Sequence, residues 1–382
     1  MHFLSSFQQW LEDLTFYFPY FPVIIQIAIV VSVLAIAGTV GAYTAMLIYR
    51  WQQQRHLKKE MPLRAVGDTL LLDHVIAPAV NTPEGEQPLA LQAFEQLGLG
   101  RRWARATFTS QLIEYRQNFT GDIPQRLREL YLELGLQHDA VSHLHSGRRK
   151  KVIAALVELS GMGVLVEKDF ILQLTDSKDK YIREMARCYI VQCSPDHPFE
   201  FLDHVKEPIL LWEQFELFRI ISLRKDIPAP AFERWIAAEY HPTVITLALK
   251  LATYYQQPES IRAMLRLMPV CVEPLRALII NCLGKLVAET AEPTLVAMYP
   301  QESLSVKMEI LKALGRIGSG HYLDFLRHEL EHADEFLLMK HAARSIVSHH
   351  ALARDLIAQL QQSLTGTRLL VLQHSLNPLI KY

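Results

Sequence analysis

The chain has 382 residues, of which 50% are hydrophobic and 21% are charged, so it is neither disordered nor fibrous and suffices for two or three folding units. Lys and Arg number 39 against 40 Asp and Glu, and the formal charge of -1 argues against a general nucleic-acid binder. Four cysteines without a CxxC pair predict buried, unpaired thiols in a reducing compartment.

The first long element is an apolar segment at residues 23–49. No charged residue occurs between Leu14 and Tyr49. As a helix the segment spans roughly 40 Å, enough to cross a hydrocarbon core of ~30 Å. Aromatic residues flank it on both sides, as they do at membrane interfaces. The sequence therefore predicts a transmembrane helix, because a cleaved signal peptide begins with basic residues and has a shorter apolar run.

The flanking charges predict the orientation of that helix. Residues 1–22 contain no Lys or Arg, whereas Arg50, Arg55, Lys58 and Lys59 follow the apolar segment directly. The positive-inside rule then predicts a single-pass protein of the inner (plasma) membrane, with its N-terminus outside and its C-terminal domain in the cytoplasm. Residues 1–22 themselves carry apolar side chains on one helical face and are expected to form an external amphipathic segment.

A juxtamembrane basic segment and linker are expected at 50–90, because four prolines and a turn-forming run at 81–88 interrupt the pattern. Apolar residues then recur at three- and four-residue steps, which predicts a helical region at 91–145 that leads into the rest of the chain. Within it, Pro124 marks the first turn of one helix and Gly135 its end.

An internal repeat fills residues 146–363. Apolar runs recur at offsets of 31 or 32 residues, and each precedes a second amphipathic segment. The aligned runs are 242–252, 274–284, 305–315 and a weaker copy at 337–347. Helix–turn–helix units of this length, stacked without strands, predict an all-α fold. We expect a HEAT-like α-solenoid of about seven helix pairs, followed by a C-terminal tail at 364–382.

The HEAT assignment depends on two short motifs that resemble HEAT repeats. Ile182, Arg183 and Ala186 form an apolar-Arg-x-x-Ala motif, and residues 313–318 are Ala-Leu-Gly-Arg-Ile-Gly. In HEAT repeats the Arg commonly meets an acidic turn residue, and Asp179, four positions before Arg183, is the expected partner. Most of the other units lack the Arg, so the repeats are degenerate.

A longer stretch resembles one family more closely. The run TGDIPQRLRELYLELGLQHDAVSHLHSGRRKKVIAALVELS at 120–160 and the run FLDHVKEPILLWEQFELF at 201–218 are similar to bacterial membrane-anchored HEAT-repeat proteins. These proteins have one N-terminal transmembrane helix and a cytosolic solenoid, and they are often encoded beside membrane glycosyltransferases of the polysaccharide-synthase type. The resemblance implies a membrane-tethered scaffold that binds a protein partner, such as a membrane glycosyltransferase, and supports exopolysaccharide synthesis. It implies no catalytic residues.

The densest cluster of charge is Arg148, Arg149, Lys150 and Lys151, at a predicted helix start. Cations at this end oppose the helix dipole, so the cluster is a candidate contact for an anion, a lipid headgroup or a protein partner. A solvated junction between a loop and a helix is the simpler alternative. Because such clusters do not recur along the other repeats, no nucleic-acid role is predicted.

The alternative function is a membrane-anchored zinc metallohydrolase. His328, Glu329 and His332 match HExxH, in which two histidines on one helix face bind zinc and the Glu is the general base. The context argues against this function, since Glu331 places a charge where an apolar residue is usual and no third ligand follows at the expected spacing. We therefore expect a protein without enzymatic activity, metal or cofactor.

Four aromatic residues in the repeats are candidate anchors for a partner, provided that their side chains are exposed. They are Trp212, Trp235, Tyr254 and Tyr255. Packing between repeats is the simpler expectation for all four.

Overall fold

The computed structural model describes residues 18–81, 89–377 and 379, and within these ranges it contains eighteen α-helices and no strand. The predicted all-α fold class is therefore confirmed. The chain forms two compact units, Met1–Leu136 and Gln137–Tyr382. Of the amphipathic segment expected at 1–22, residues 1–17 lie outside the described residues.

The first unit contains four helices. They are α1 Val23–Leu71, α2 Ala77–Asn81, α3 Arg102–Asn118 and α4 Ile123–Glu133. A π-helical turn, Leu72–Ile76, joins α1 to α2. As predicted, α4 has Pro124 in its first turn, and Gly135, with a φ of 64°, follows its end. Glycine is suited to this position because it adopts positive φ without steric cost.

The helix α1 has 49 residues, which corresponds to roughly 73 Å. Among the described residues, it belongs to the one helical segment that is long and apolar enough to cross a membrane. The large apolar side chains of its first half are exposed within the chain, which leaves them available to lipid.

The second half of α1 packs against α3. Asp68 accepts hydrogen bonds from Gln111 Nε2 at 2.5 Å and from Tyr115 Oη at 2.8 Å. Leu71 is fully buried. Of the basic segment and linker expected at 50–90, residues 50–81 are helical. Pro62 lies inside α1, where a proline costs the helix about 3 kcal/mol.

The second unit contains the other fourteen helices. They are α5 Gln137–Leu144, α6 Arg149–Met162, α7 Lys168–Leu174, α8 Lys180–Cys193, α9 Leu211–Leu223, α10 Pro242–Tyr254, α11 Ile261–Leu267, α12 Glu273–Lys285, α13 Glu292–Met298, α14 Leu304–Ile317, α15 Leu323–His332, α16 Phe336–Ser348, α17 Arg354–Ser363 and α18 Gly366–Leu376. The longer ones form a row in which each contacts the next: α6, α8, α9, α10, α12, α14, α16 and α18. The shorter helices α7, α11, α13, α15 and α17 each pack against a member of this row.

The aligned apolar runs of the sequence are the row helices α10, α12, α14 and α16. The side chains that the alignment makes equivalent, Leu251, Leu283, Leu314 and Ile346, are all buried in the core. Because the same position faces inward in each helix, one apolar core continues from each row helix to the next.

Close contacts between row helices depend on small residues. A Cβ atom added at Gly315 of α14 would lie 2.6 Å from Ser345 Oγ and 2.8 Å from Ser345 Cα of α16. A Cβ atom added at Gly284 of α12 would likewise lie too close to Ala313 of α14, at 2.8 Å from its Cα. The Ser345 hydroxyl donates a hydrogen bond to the Leu311 carbonyl oxygen at 2.6 Å, which ties α16 to α14.

The second unit begins at Gln137, where α5 packs against α6, and it includes residues 146–363, in which the repeats are expected. The expected C-terminal tail at 364–382 contains α18, which packs against α16. Val371 and Leu372 of α18 are buried at the end of the row, and their burial stabilises this helix.

Candidate functional site

The basic cluster Arg148, Arg149, Lys150 and Lys151 stands at the N-terminus of α6, as predicted. Arg148 is the N-cap, α6 begins at Arg149, and no side chain caps the helix. All four residues are exposed. Within the described ranges the side chains of Arg148, Lys150 and Lys151 form no ion pair. Three positive charges therefore stand unpaired at the positive end of the helix dipole.

The fourth cation of this cluster connects two row helices. Arg149 Nε lies 3.1 Å from Asp179 Oδ2, and the guanidinium group lies 4.3 Å from the ring centroid of Tyr181. Asp179 is the N-cap of α8, where its Oδ1 accepts hydrogen bonds from the backbone N–H groups of Tyr181 at 2.9 Å and Ile182 at 3.3 Å. The carboxylate thus stabilises both the start of α8 and its contact with α6.

The expected side-chain contact between Asp179 and Arg183 is wrong. Arg183 Nη1 instead donates to the Ser177 carbonyl oxygen at 2.6 Å, and Nη2 lies 3.8 Å from Glu207 Oε2. The physical reason is that the oxygens of Asp179 are already engaged, one by the backbone of α8 and the other by Arg149.

A buried ion pair, which sequence reasoning missed, joins α8 to α9. The side chains of Arg187 and Glu213 are 0% and 2% exposed, and Arg187 Nη1 donates to Glu213 Oε1 at 3.0 Å. Arg187 also donates to the carbonyl oxygens of Thr175 at 2.9 Å and Glu207 at 3.2 Å. Burial raises the pKa of the Glu213 carboxyl group, and the nearby Arg187 works in the opposite direction.

The side of α9 away from the core carries an aromatic face, which we define as Leu211, Trp212 and Phe215. Trp212 is 77% exposed and Phe215 is 58% exposed. By contrast, Trp235 is only 5% exposed and belongs to the core. Core packing is thus the wrong expectation for Trp212 and the right one for Trp235. Large aromatic side chains that protrude from a helix are suited to anchoring a partner.

The aromatic face is exposed because α9 turns polar side chains inward. Its buried residues include Glu213 and Gln214, as well as Leu217 and Ile220. The Gln214 side-chain amide donates to the Ile209 carbonyl oxygen at 3.1 Å, so the inward polar group is satisfied. The inner face of α9 therefore mixes polar with apolar side chains, and an apolar pattern alone does not define it.

The HExxH segment lies on α15. The rings of His328 and His332 stack with centroids 4.4 Å apart, and His332 Nδ1 donates to the His328 carbonyl oxygen at 3.0 Å. Glu329 Oε2 accepts a hydrogen bond from Tyr299 Oη at 2.5 Å. Burial, together with this bond, raises the pKa of Tyr299.

Among the described residues, no three His, Cys, Asp or Glu side chains are placed together to hold a metal ion. The contacts of Glu329 and His332 are those of a helix surface that packs on its neighbour. The metallohydrolase stays a prediction that no contact of these three residues favours.

No model of a known protein family matches the chain, and no curated protein matches it. The similarity to membrane-anchored HEAT-repeat proteins therefore stays a prediction. Evidence for function comes from the basic cluster on α6 and the aromatic face on α9.

Proposed function

We propose that the chain is a membrane-tethered scaffold whose second unit binds a partner protein in the cytoplasm. The tether is the apolar first half of α1. Its lack of charge and its exposed apolar side chains support membrane insertion, and the four cations that follow it support an outside N-terminus in a bacterial inner membrane. The second half of α1 packs on α3, which connects the helix of the tether to the rest of the first unit.

The second unit is, in this proposal, a HEAT-like solenoid of about seven helix pairs. The starts of α10, α12, α14 and α16 are separated by 31, 31 and 32 residues, which supports repeated units of one design. The alternation of longer row helices with shorter helices on their side supports the same conclusion. Such an arrangement presents a long surface and is typical of proteins that bind other proteins.

The observation that carries the proposal is the aromatic face of α9. Transfer of a large apolar side chain from water into an interface contributes about 1.5–3 kcal/mol. In the isolated chain the side chains of Trp212 and Phe215 stay in water and contribute none of this transfer free energy. A partner that covers them therefore gains most of it on binding. Trp is also among the residues that dominate the binding free energy of known interfaces.

The proposed partner is a membrane glycosyltransferase of the polysaccharide-synthase type, and the proposed role is support of exopolysaccharide synthesis. The similarity of the runs at 120–160 and 201–218 to membrane-anchored HEAT-repeat proteins supports this choice. The second of these runs contains the whole aromatic face.

The tether and the partner are tested separately. For the tether, membranes are washed with alkaline carbonate, and intact cells stripped of their outer layer are treated with protease. The full chain should resist extraction, and its C-terminal unit should be protected. Release by the wash or digestion from outside would refute the topology.

For the partner, the full chain is purified from membranes in mild detergent. The double variant Trp212→Ala/Phe215→Ala should lose the co-purifying glycosyltransferase. The control Phe336→Ala/Leu337→Ala removes two exposed apolar side chains from the first turn of another row helix and should retain it. An identical set of co-purifying proteins from the wild type and the α9 variant would refute the role of the aromatic face.

A further inference from the structure

The second unit has a polar cleft across α12, α14 and α16. Its volume is about 580 Å³, and it is lined by side chains from each of these helices, among them Asn281, Lys312, Arg316 and Arg344. The cleft is distinct from the aromatic face, which lies on α9. Its volume is typical of sites for small molecules, which measure roughly 300–1,000 Å³.

The repeat places the polar side chains of the cleft in register. Asn281, Lys312 and Arg344 are each the ninth residue of their helix. Arg316 and Ser348 are likewise equivalent, each lying four residues further on. Since equivalent positions of successive repeats lie side by side, donors from neighbouring helices converge on one cleft.

The lining of this cleft carries more positive than negative charge. Three cations, Lys312, Arg316 and Arg344, face one carboxylate, that of Glu309. Both oxygens of Glu309 already accept hydrogen bonds, from Lys312 Nζ at 2.6 Å and from Asn281 Nδ2 at 2.9 Å. The formal charges of the side chains that line the cleft therefore sum to two positive charges.

The cleft also contains a histidine, His341. Burial lowers the pKa of His341 to about 4, and the charges of Lys312, Lys340 and Arg344 act in the same direction. Only Glu309 opposes the shift among the charged neighbours that contribute to it. The imidazole is thus neutral at physiological pH, and the positive potential of the cleft comes from its lysine and arginine residues.

We propose that this cleft binds a small molecule that carries a phosphate group, with Arg316 and Arg344 as its principal contacts. Guanidinium groups match phosphate oxygens in two-pronged hydrogen bonds, and an ammonium group adds a point charge. A phosphate offers more acceptor positions and more negative charge than a carboxylate, which suits a lining with a positive formal charge and two guanidinium groups. This site goes beyond the scaffold function and requires no partner protein.

The test is isothermal titration of the full chain in detergent with inorganic pyrophosphate, repeated with inorganic phosphate. Arg316→Gln should weaken pyrophosphate binding roughly tenfold or more, since a hydrogen bond to a charged group is lost. Arg316 is exposed, so this variant should fold normally. The control Arg262→Gln removes an exposed charge on α11, outside the cleft, and should change the affinity less than twofold.

Binding should also weaken as salt is raised, because ions screen the charges. Absence of pyrophosphate binding at millimolar concentration would overturn the proposal. Equal affinities of the wild type and Arg316→Gln would overturn it as well. A polyglutamate peptide that binds at the cleft and is not displaced by pyrophosphate would show that the site takes acidic protein segments instead.

Discussion

The buried pair of Arg187 and Glu213 gives a sharp test of how α8 is held to α9. Replacing Arg187 by Met keeps most of the side-chain volume but removes the guanidinium group. The carboxylate of Glu213 then stays buried with one remaining hydrogen bond, from the Leu210 backbone N–H at 3.3 Å. Removal of one partner from a buried ion pair costs roughly 3–5 kcal/mol, and we expect the free energy of unfolding of the second unit to fall by that amount.

The double variant Arg187→Met/Glu213→Leu separates the ion pair from simple packing. When both charges are replaced by apolar groups, no charge is left buried, so this variant should be more stable than Arg187→Met alone by at least about 2 kcal/mol. The assay is urea unfolding of the full chain, with hydrogen exchange of the α8 and α9 amides to localise the effect. A cost below about 1 kcal/mol for Arg187→Met, or a double variant no more stable than the single one, would refute the reasoning.

The pH dependence of the Arg187→Met variant tests whether its lower stability comes from the buried Glu213 carboxylate. Burial already raises the pKa of Glu213 in the wild type, and loss of Arg187 removes the charge that opposes this rise. A carboxyl group whose pKa is raised by folding destabilises the folded state above that pKa, and this cost disappears as the pH falls towards the unfolded value of about 4.3. The difference in stability between the variant and the wild type should therefore shrink in acid.

Three further predictions concern the second unit. Gly315→Ala should lower the free energy of unfolding by about 1–3 kcal/mol, because the new methyl group collides with Ser345. The control Gly100→Ala adds its methyl group in open space and should not lower the free energy of unfolding. Urea unfolding compares the two variants, and equal costs would contradict the close packing at Gly315. The pKa of His341 is about 4 in the folded chain and 6.5 in the unfolded chain, so the unfolded state binds a proton first as the pH falls. The free energy of unfolding should therefore be greatest above pH 6.5 and should fall by about 1–2 kcal/mol towards pH 4, a figure reduced because the side chain is partly exposed. His341→Gln should remove this part of the pH dependence, and an unchanged pH profile would contradict it. Asp179→Ala should lower the free energy of unfolding by about 1 kcal/mol, because the N-cap of α8 is lost. Asp179→Asn keeps an N-cap acceptor and should lower it by only about a few tenths of a kcal/mol. Equal effects of the two variants in thermal unfolding would contradict this prediction.

The helical repeats could be predicted from the sequence because burial repeats with them. Leu251, Leu283, Leu314 and Ile346 align without any structural information, and each is buried. Helix class and period depend on local spacing, which the sequence displays directly. The continuation of α1 past Pro62 could not be predicted in this way, because it depends on packing against a helix that begins some 40 residues later.

The candidate functional surfaces were harder to predict from the sequence. The basic cluster on α6 stood out as four consecutive cations. The partners Arg187 and Glu213 are 26 residues apart, and nothing in the spacing singles them out. Phe215 was missed because the sequence does not show that α9 buries Glu213 and Gln214 and leaves Phe215 exposed. The sequence alignment of the repeats already places Asn281, Lys312 and Arg344 at one position, but only the structure shows that these side chains line one cleft.

The most direct test of the scaffold is photo-crosslinking in intact cells. A photoreactive amino acid is placed at Trp212 of the full chain and, as the matched control, at the exposed Phe336. The account predicts one defined adduct from position 212, containing a membrane glycosyltransferase, and none of that mass from position 336. No adduct at position 212, or the same adducts from both positions, would contradict a partner bound at the aromatic face.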